Sequence, residues 1–300
     1  APDVVGNSDP VFGGKAANWR KFGNSLYLRL LLRVSGKAEV SAESIAKIKD
    51  MVNTNASSYP IITSNAESAI LKWTGIAPYV SPYVSVRVQD WPAPKLAEFF
   101  VSNLTKWADP RIAKWATTSL GAYAGIPSGY PVGQTPVGRS YQPLTLQSEP
   151  LLGNIMNYAE VQFILAEAAT KGFITGTPAT YYHNGILNSI SLWGYTPTAT
   201  YLSDADLTWD DAATLEEKME MIHVQKYYAL FMTDLEGWFE YRRTGHPVLP
   251  NGGGLRNNGV MPARLNYPNY VVSANPDHYK AAVAAQGPDE ISTQVWWQKP

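Results

Sequence analysis

Few residues in this chain stand at spacings that could do covalent chemistry. Glu160 and Glu167 lie two turns apart on one helical segment and could be cast as an acid/base pair, the arrangement glycoside hydrolysis requires. Two carboxylates alone specify little, and the ordinary reading of this pair is an exposed or salt-bridged helix face. Asp204, Asp206, Asp210 and Asp211 cluster without the EF-hand spacing or its glycine. They read as an acidic loop, with Ca2+ the one cofactor left open. Four histidines, His183, His223, His246 and His278, are scattered without metal-ligand spacing. No phosphate loop, dinucleotide fingerprint, H-E-x-x-H helix or G-x-S-x-G elbow occurs. The absence of cysteine removes disulfides, thiolate zinc sites and a cysteine nucleophile.

Aromatic residues are the stronger signal. The 300 residues include ten Trp and eighteen Tyr, more amphipathic rings than a core of this size needs. Trp73, Tyr79, Tyr83 and Trp91 fall in a proline-broken stretch, and Tyr123 and Tyr130 in a glycine-rich one. Sugar rings present apolar C–H faces that stack on such side chains, while neighbouring polar groups bind hydroxyls. These six are the predicted ligand-binding residues, although packing beneath a long loop explains any single one equally well. Charged residues make up 16%, below the roughly 25% usual in soluble domains. A net charge of −1 supplies no field to draw nucleic acid or an anionic membrane.

The elements that must position these rings are helical. Trp19, Phe22, Leu26 and Leu30 form a stripe that predicts a helix over 17–35, ended by Gly36. Ser41 is the expected N-cap of a second helix with Ile45, Ile48 and Met51 inward. This makes a hairpin near 17–55. Pro60, Pro78, Pro82, Pro92 and Pro94 then forbid a long helix, and, apart from a helix near 96–107, the region 59–150 reads as a loop-rich insert. Long loops inside compact proteins are usually functional. Tyr158, Val161, Leu165 and Ala168, followed by the Thr177-Pro178 start, predict a second hairpin near 155–194. A long helix is expected near 214–233, and a short one near 276–285. The fold expected is a single, mainly α domain of tetratricopeptide-like hairpins joined by long irregular loops. Ala1-Pro2-Asp3 carries no basic n-region, apolar h-region or initiator Met, so the chain is expected to be processed or part of something longer.

Five ordered stretches resemble the SusD/RagB family of outer-membrane nutrient-binding lipoproteins. They are Lys21-Phe22-Gly23-Asn24-Ser25-Leu26 with Arg29 and Arg33; Asp109-Pro110-Arg111 followed by Gly121, Tyr123, Gly125, Ile126, Pro127 and Gly129; and Tyr158-Ala159-Glu160-Val161 with Ala166-Glu167-Ala168. The fourth runs from Val224-Gln225-Lys226-Tyr227-Tyr228 through Glu236-Gly237-Trp238-Phe239-Glu240-Tyr241-Arg242-Arg243-Thr244-Gly245. The last combines Arg264-Leu265, Tyr267-Pro268 and Val295-Trp296-Trp297. Ala263 and Thr233-Asp234-Leu235 depart from the family pattern at scaffold positions. The resemblance implies a SusD-like fold lacking its N-terminal part, and a lipid anchor outside this chain holding the protein on the extracellular face of the outer membrane. It also implies a SusC-like TonB-dependent transporter as partner, with a glycan or a peptide as ligand. Arg242 and Arg243 are read as structural, at a helix end whose carbonyls favour cations. The rival reading is a helical glycoside hydrolase using Asp90, Glu98 or Asp109, and a third is a cytosolic helical-repeat adaptor. The aromatic loops on a catalytically empty scaffold favour a binding protein.

Overall fold

The computed structural model describes residues 2–203, 206–256 and 259–299. Helices α1 (Ala16–Val34) and α2 (Ser41–Lys49) pack as the first hairpin, and a π-helical turn over Asp50–Thr54 prolongs α2. A short strand, β1 (Ala69–Ile70), opens the loop-rich insert, which contains helices α3 (Glu98–Lys106) and α4 (Ile112–Trp115). Strand β2 (Asn154–Met156) pairs antiparallel with β1, with Ala69 opposite Met156 and Ile70 opposite Asn154. The second hairpin, α5 (Tyr158–Thr170) and α6 (Pro178–Leu192), follows, and α7 (Leu215–Ala229) packs on both its helices. Helices α8 (Glu236–Thr244), α9 (Asn269–Ala274) and α10 (Pro276–Gln286) complete a mainly α fold of the kind predicted.

Helix α5 divides the interior. Ala159, Phe163 and Ala166 belong to one core with Phe100, Trp115 and Ile222, whereas Val161, Ile164, Leu165 and Ala168 belong to a second with Leu28, Leu32 and Ile48. A helix buried on every face is apolar all round except where a buried polar side chain is paired, as Glu160 and Glu167 are here, so its one-stripe reading in the sequence is too narrow. Its contact with α6 is close: a Cβ on Gly185 would lie 2.6 Å from the Phe163 ring, so only glycine lets the two helices meet there.

Four local expectations change. The inward face of α1 is Ser25, Leu28, Arg29, Leu31 and Leu32, while Trp19 and Leu30 are exposed. The helix is rotated because the Arg29 guanidinium is drawn inward to Glu160, with both bonds at 2.6 Å; an apolar periodicity cannot register a buried cation. Ser41 does not cap α2 but is its first residue, its hydroxyl donating to the Ser35 carbonyl. Gly36 keeps a negative φ, so it is not a left-handed C′ residue. The predicted helix over 214–233 starts on a capping box formed by Thr214 and Glu217 but stops at Ala229. Met232 and Asp234 then take φ of +57° and +44°, and this turn separates α7 from α8.

Candidate functional site

The carboxylate pair singled out by spacing is structural. Glu160 and Glu167 are both fully buried. Glu160 is held by the bidentate Arg29, and Glu167 accepts from Arg243 through two bonds of 2.7 Å and from Lys171 at 2.6 Å. Neither residue is exposed, but the salt-bridged alternative is what the fold uses. Burial pushes the Glu167 carboxyl up, yet Arg243, His223 and Lys171 outweigh it and hold it well below the ordinary range. A carboxylate so strongly held as an anion cannot act as a general acid near neutrality.

Around this pair lies a buried ionic cluster that joins α5, α7 and α8. Glu240 of α8 accepts from Lys226 of α7 and from Arg243, each at 2.7 Å. Arg33 of α1 reaches Glu236 at 2.7 Å. His223 sits 3.2 Å from Glu167, and His246 bonds Glu220 at 2.6 Å. Glu167, His223 and Glu240 present ligand-type atoms within 4.8 Å of one another. Their oxygens already accept from Arg243, Lys226 and Lys171, so these cations occupy the role a divalent ion would fill. The paired arginines of α8 are therefore scaffold, and Arg242 is held by stacking on Trp238 at 3.9 Å and Trp297 at 4.5 Å.

The other acids are dispersed in role. Asp109 is fully buried, bonded by Arg111 through two guanidinium bonds and by the Tyr201 hydroxyl. Burial raises its pKa, but the Arg111 charge prevails and lowers it. Asp90 is exposed and pairs with Arg87 at 2.6 Å, and Glu98 is exposed in the first turn of α3. In the acidic loop, Asp206 takes Lys106 and the Trp107 indole, Asp210 bonds the Ala212 amide and Asp211 takes the Trp209 indole. Asp204 lies outside the described residues.

The six predicted aromatic residues divide. Trp91 is 7% exposed within the first core, its indole N–H donating to the Gln142 and Pro143 carbonyls. It is a packing residue, and Tyr83 stands edge-on to it at 6.2 Å. Tyr83 and Tyr123 are half-buried against the same core, while Trp73, Tyr79 and Tyr130 are half-buried on loops. Among the described residues no ring contact joins any two of Trp73, Tyr79, Tyr123 and Tyr130. Their backbones are nonetheless pinned. The Trp73 amide donates to Pro150 at 3.2 Å, and the Tyr79 amide closes a tight turn onto Ile76 at 2.8 Å. Tyr123 follows the Leu120-Gly121 turn, where both residues have positive φ. Tyr130 abuts the 252–254 loop so closely that a Cβ on Gly254 would sit 1.9 Å from its carbonyl oxygen. Around them Leu120 is 100% and Val137 89% exposed, apolar side chains left in solvent.

The SusD-like family, described as starch-binding and associating with the outer membrane, matches residues 2–268. The chain belongs to this SusD-like family. A SusD homologue from Bacteroides uniformis superposes with a TM-score of 0.85 at 27% identity, covering 100% of this chain and 68% of the homologue. A chitin-binding SusD homologue from Flavobacterium johnsoniae gives 0.84 at 24%, covering 99% and 67%. A SusD homologue from Bacteroides fragilis gives 0.81 at 25%, covering 97% and 69%. No curated protein matches the chain. No helix among the described residues is long and apolar enough to cross a membrane.

Sequence reasoning missed the concave surfaces. Two adjoining clefts of about 400 and 430 Å3 flank residues 196–198, between α6 and α7. The only advance sign was the hydroxyl-rich run Thr196-Pro197-Thr198-Ala199-Thr200 following Tyr195. Composition of this kind does not reveal concavity.

Proposed function

We propose that this chain is a non-catalytic cell-surface protein that captures glycans and delivers them to a SusC-like TonB-dependent transporter. One observation carries the reading: a chain of a family described as starch-binding presents half-buried rings and exposed apolar side chains on loops whose backbones are fixed. Fixed rings lose little entropy on binding. The ion-paired state of Glu160, Glu167 and Asp109 supports the absence of hydrolysis. Lipid anchoring on the extracellular face belongs to the same proposal, and no cofactor is needed.

The test is a calorimetric titration of the purified chain with maltoheptaose and with chitohexaose, beside product analysis of the same mixtures. Saturable binding without released product is the expected result, unchanged when a chelator removes Ca2+. Shortened oligosaccharides in the mixture would make the protein a hydrolase, and binding of peptides alone would move it to the family's other ligand class.

A further inference from the structure

We infer that the clefts on either side of residues 196–198 form a second recognition site, for a neutral oligosaccharide. This rests on the glycan-binding reading above and adds a location lined by none of the six predicted aromatic residues. The segment Thr196-Pro197-Thr198 lines both clefts, so a ligand lying across it would occupy the two at once. Each volume, about 400 and 430 Å3, falls in the range of small-molecule pockets.

The chemistry of the lining selects the ligand class. None of the described residues lining either cleft carries a charge. The polar groups are hydroxyls and an amide: Thr196, Thr198 and Thr200 on the segment, with Asn188 and Ser191 on α6. A neutral lining of mixed donors and acceptors fits a polyhydroxylated ligand and gives a phosphate or uronate no countercharge. Apolar surface is supplied beside it by Leu187, Leu202 and the half-buried Tyr195, where a pyranose C–H face can stack.

The floor is built rigidly. Tyr201 lines the first cleft, and its hydroxyl donates to Asp109 at 2.5 Å, itself clamped by Arg111. Trp107 lies beside it with its indole bonded to Asp206 at 3.2 Å. Ala108, also in the lining, holds a φ of +50°, a conformation that L residues adopt at a cost and that clusters at functional sites. The buried Asp109–Arg111 pair, idle in any hydrolytic scheme, acquires a role here in fixing this floor.

The test uses Thr198, which is exposed and whose side chain makes no hydrogen bond among the described residues, so Thr198→Trp is expected to fill the clefts and leave the fold intact. Intact protein and variant are titrated with maltoheptaose and chitohexaose, each beside a thermal melt. The expected result is an unchanged melt with binding weakened at least about tenfold, the scale of a hot-spot contact. Tyr195→Ala should weaken binding similarly. If Thr198→Trp binds both probes like the intact protein while Trp73→Ala does not, the loops are the whole site and this inference is overturned. If the intact protein binds no oligosaccharide, the glycan-binding reading fails first and takes this site with it.

Discussion

The helical hairpins and the loop-rich insert use polar chemistry in opposite ways. Between α5, α7 and α8, charges are buried and satisfy one another: Glu167, Arg243, Glu240 and Lys226 form a chain of bonds between 2.6 and 2.7 Å with Lys171. Along the loops of the insert, outside the buried Asp109–Arg111 pair and its core residues, fixation comes from backbone bonds and glycine contacts, and the rings of Trp73, Tyr79, Tyr123 and Tyr130 are left half in solvent. Buried ion pairs specify one arrangement of helices because each charge is costly without its partner. Loops held by their backbones can change side chains without disturbing the core. Under the proposed function, the difference separates the part that keeps the shape from the part free to choose a ligand.

The largest effect expected on breaking this contrast is at the ionic cluster. Arg243→Met leaves Glu167 and Glu240 buried without their shared guanidinium and should cost about 3–5 kcal/mol, the penalty for an uncompensated buried charge. Chemical denaturation measures it; a loss below 1 kcal/mol would show the cluster is not holding the helices. Next come two tryptophans. Trp91→Ala removes a core ring inside the insert and should cost about 3 kcal/mol. Trp193→Ala loses packing on Trp115 at 5.1 Å and Phe231 at 6.0 Å and should cost about 2 kcal/mol. Both should bind oligosaccharide normally while melting early.

The smallest effect concerns pH. Burial lowers the His223 pKa below its ordinary 6.5; Glu167 pulls it up, while Arg243 and Lys226 push it further down. The folded chain therefore resists a proton that the unfolded chain accepts, and stability falls as pH drops through 6.5. The lowered Glu167 and Glu240 add a further loss once pH passes below the ordinary carboxylate value of 4.5, because their protonation is favoured only on unfolding. Melting temperatures followed from neutral into acid should decline in these two stages, and His223→Gln should shrink the first, leaving the part due to His183, whose pKa burial also lowers.

Much of the helical scaffold was legible because apolar spacing and the Thr177-Pro178 start act locally. The rotation of α1 was not, since Arg29 is polar in sequence and buried only through Glu160, far along the chain. The end of α7 was hidden for a similar reason. Residues 230–233 look helical, and the left-handed Met232 and Asp234 carry no glycine to announce a turn. Among the aromatic residues, loop position was readable but depth was not. Trp91 sits in a proline-rich stretch like its neighbours, and only tertiary contacts show that its indole is held by Gln142 and Pro143.

If loops recognise while helices hold, single substitutions on the loops show it most directly. Trp73→Ala, Tyr79→Ala, Tyr123→Ala and Tyr130→Ala should each be titrated with oligosaccharide beside a thermal melt of the same sample. The account predicts that at least two of them weaken binding by about 1–3 kcal/mol, the range of hot-spot aromatics, with melts close to that of the intact chain. Loop variants that bind normally yet melt early would contradict it, making these rings packing residues like Trp91.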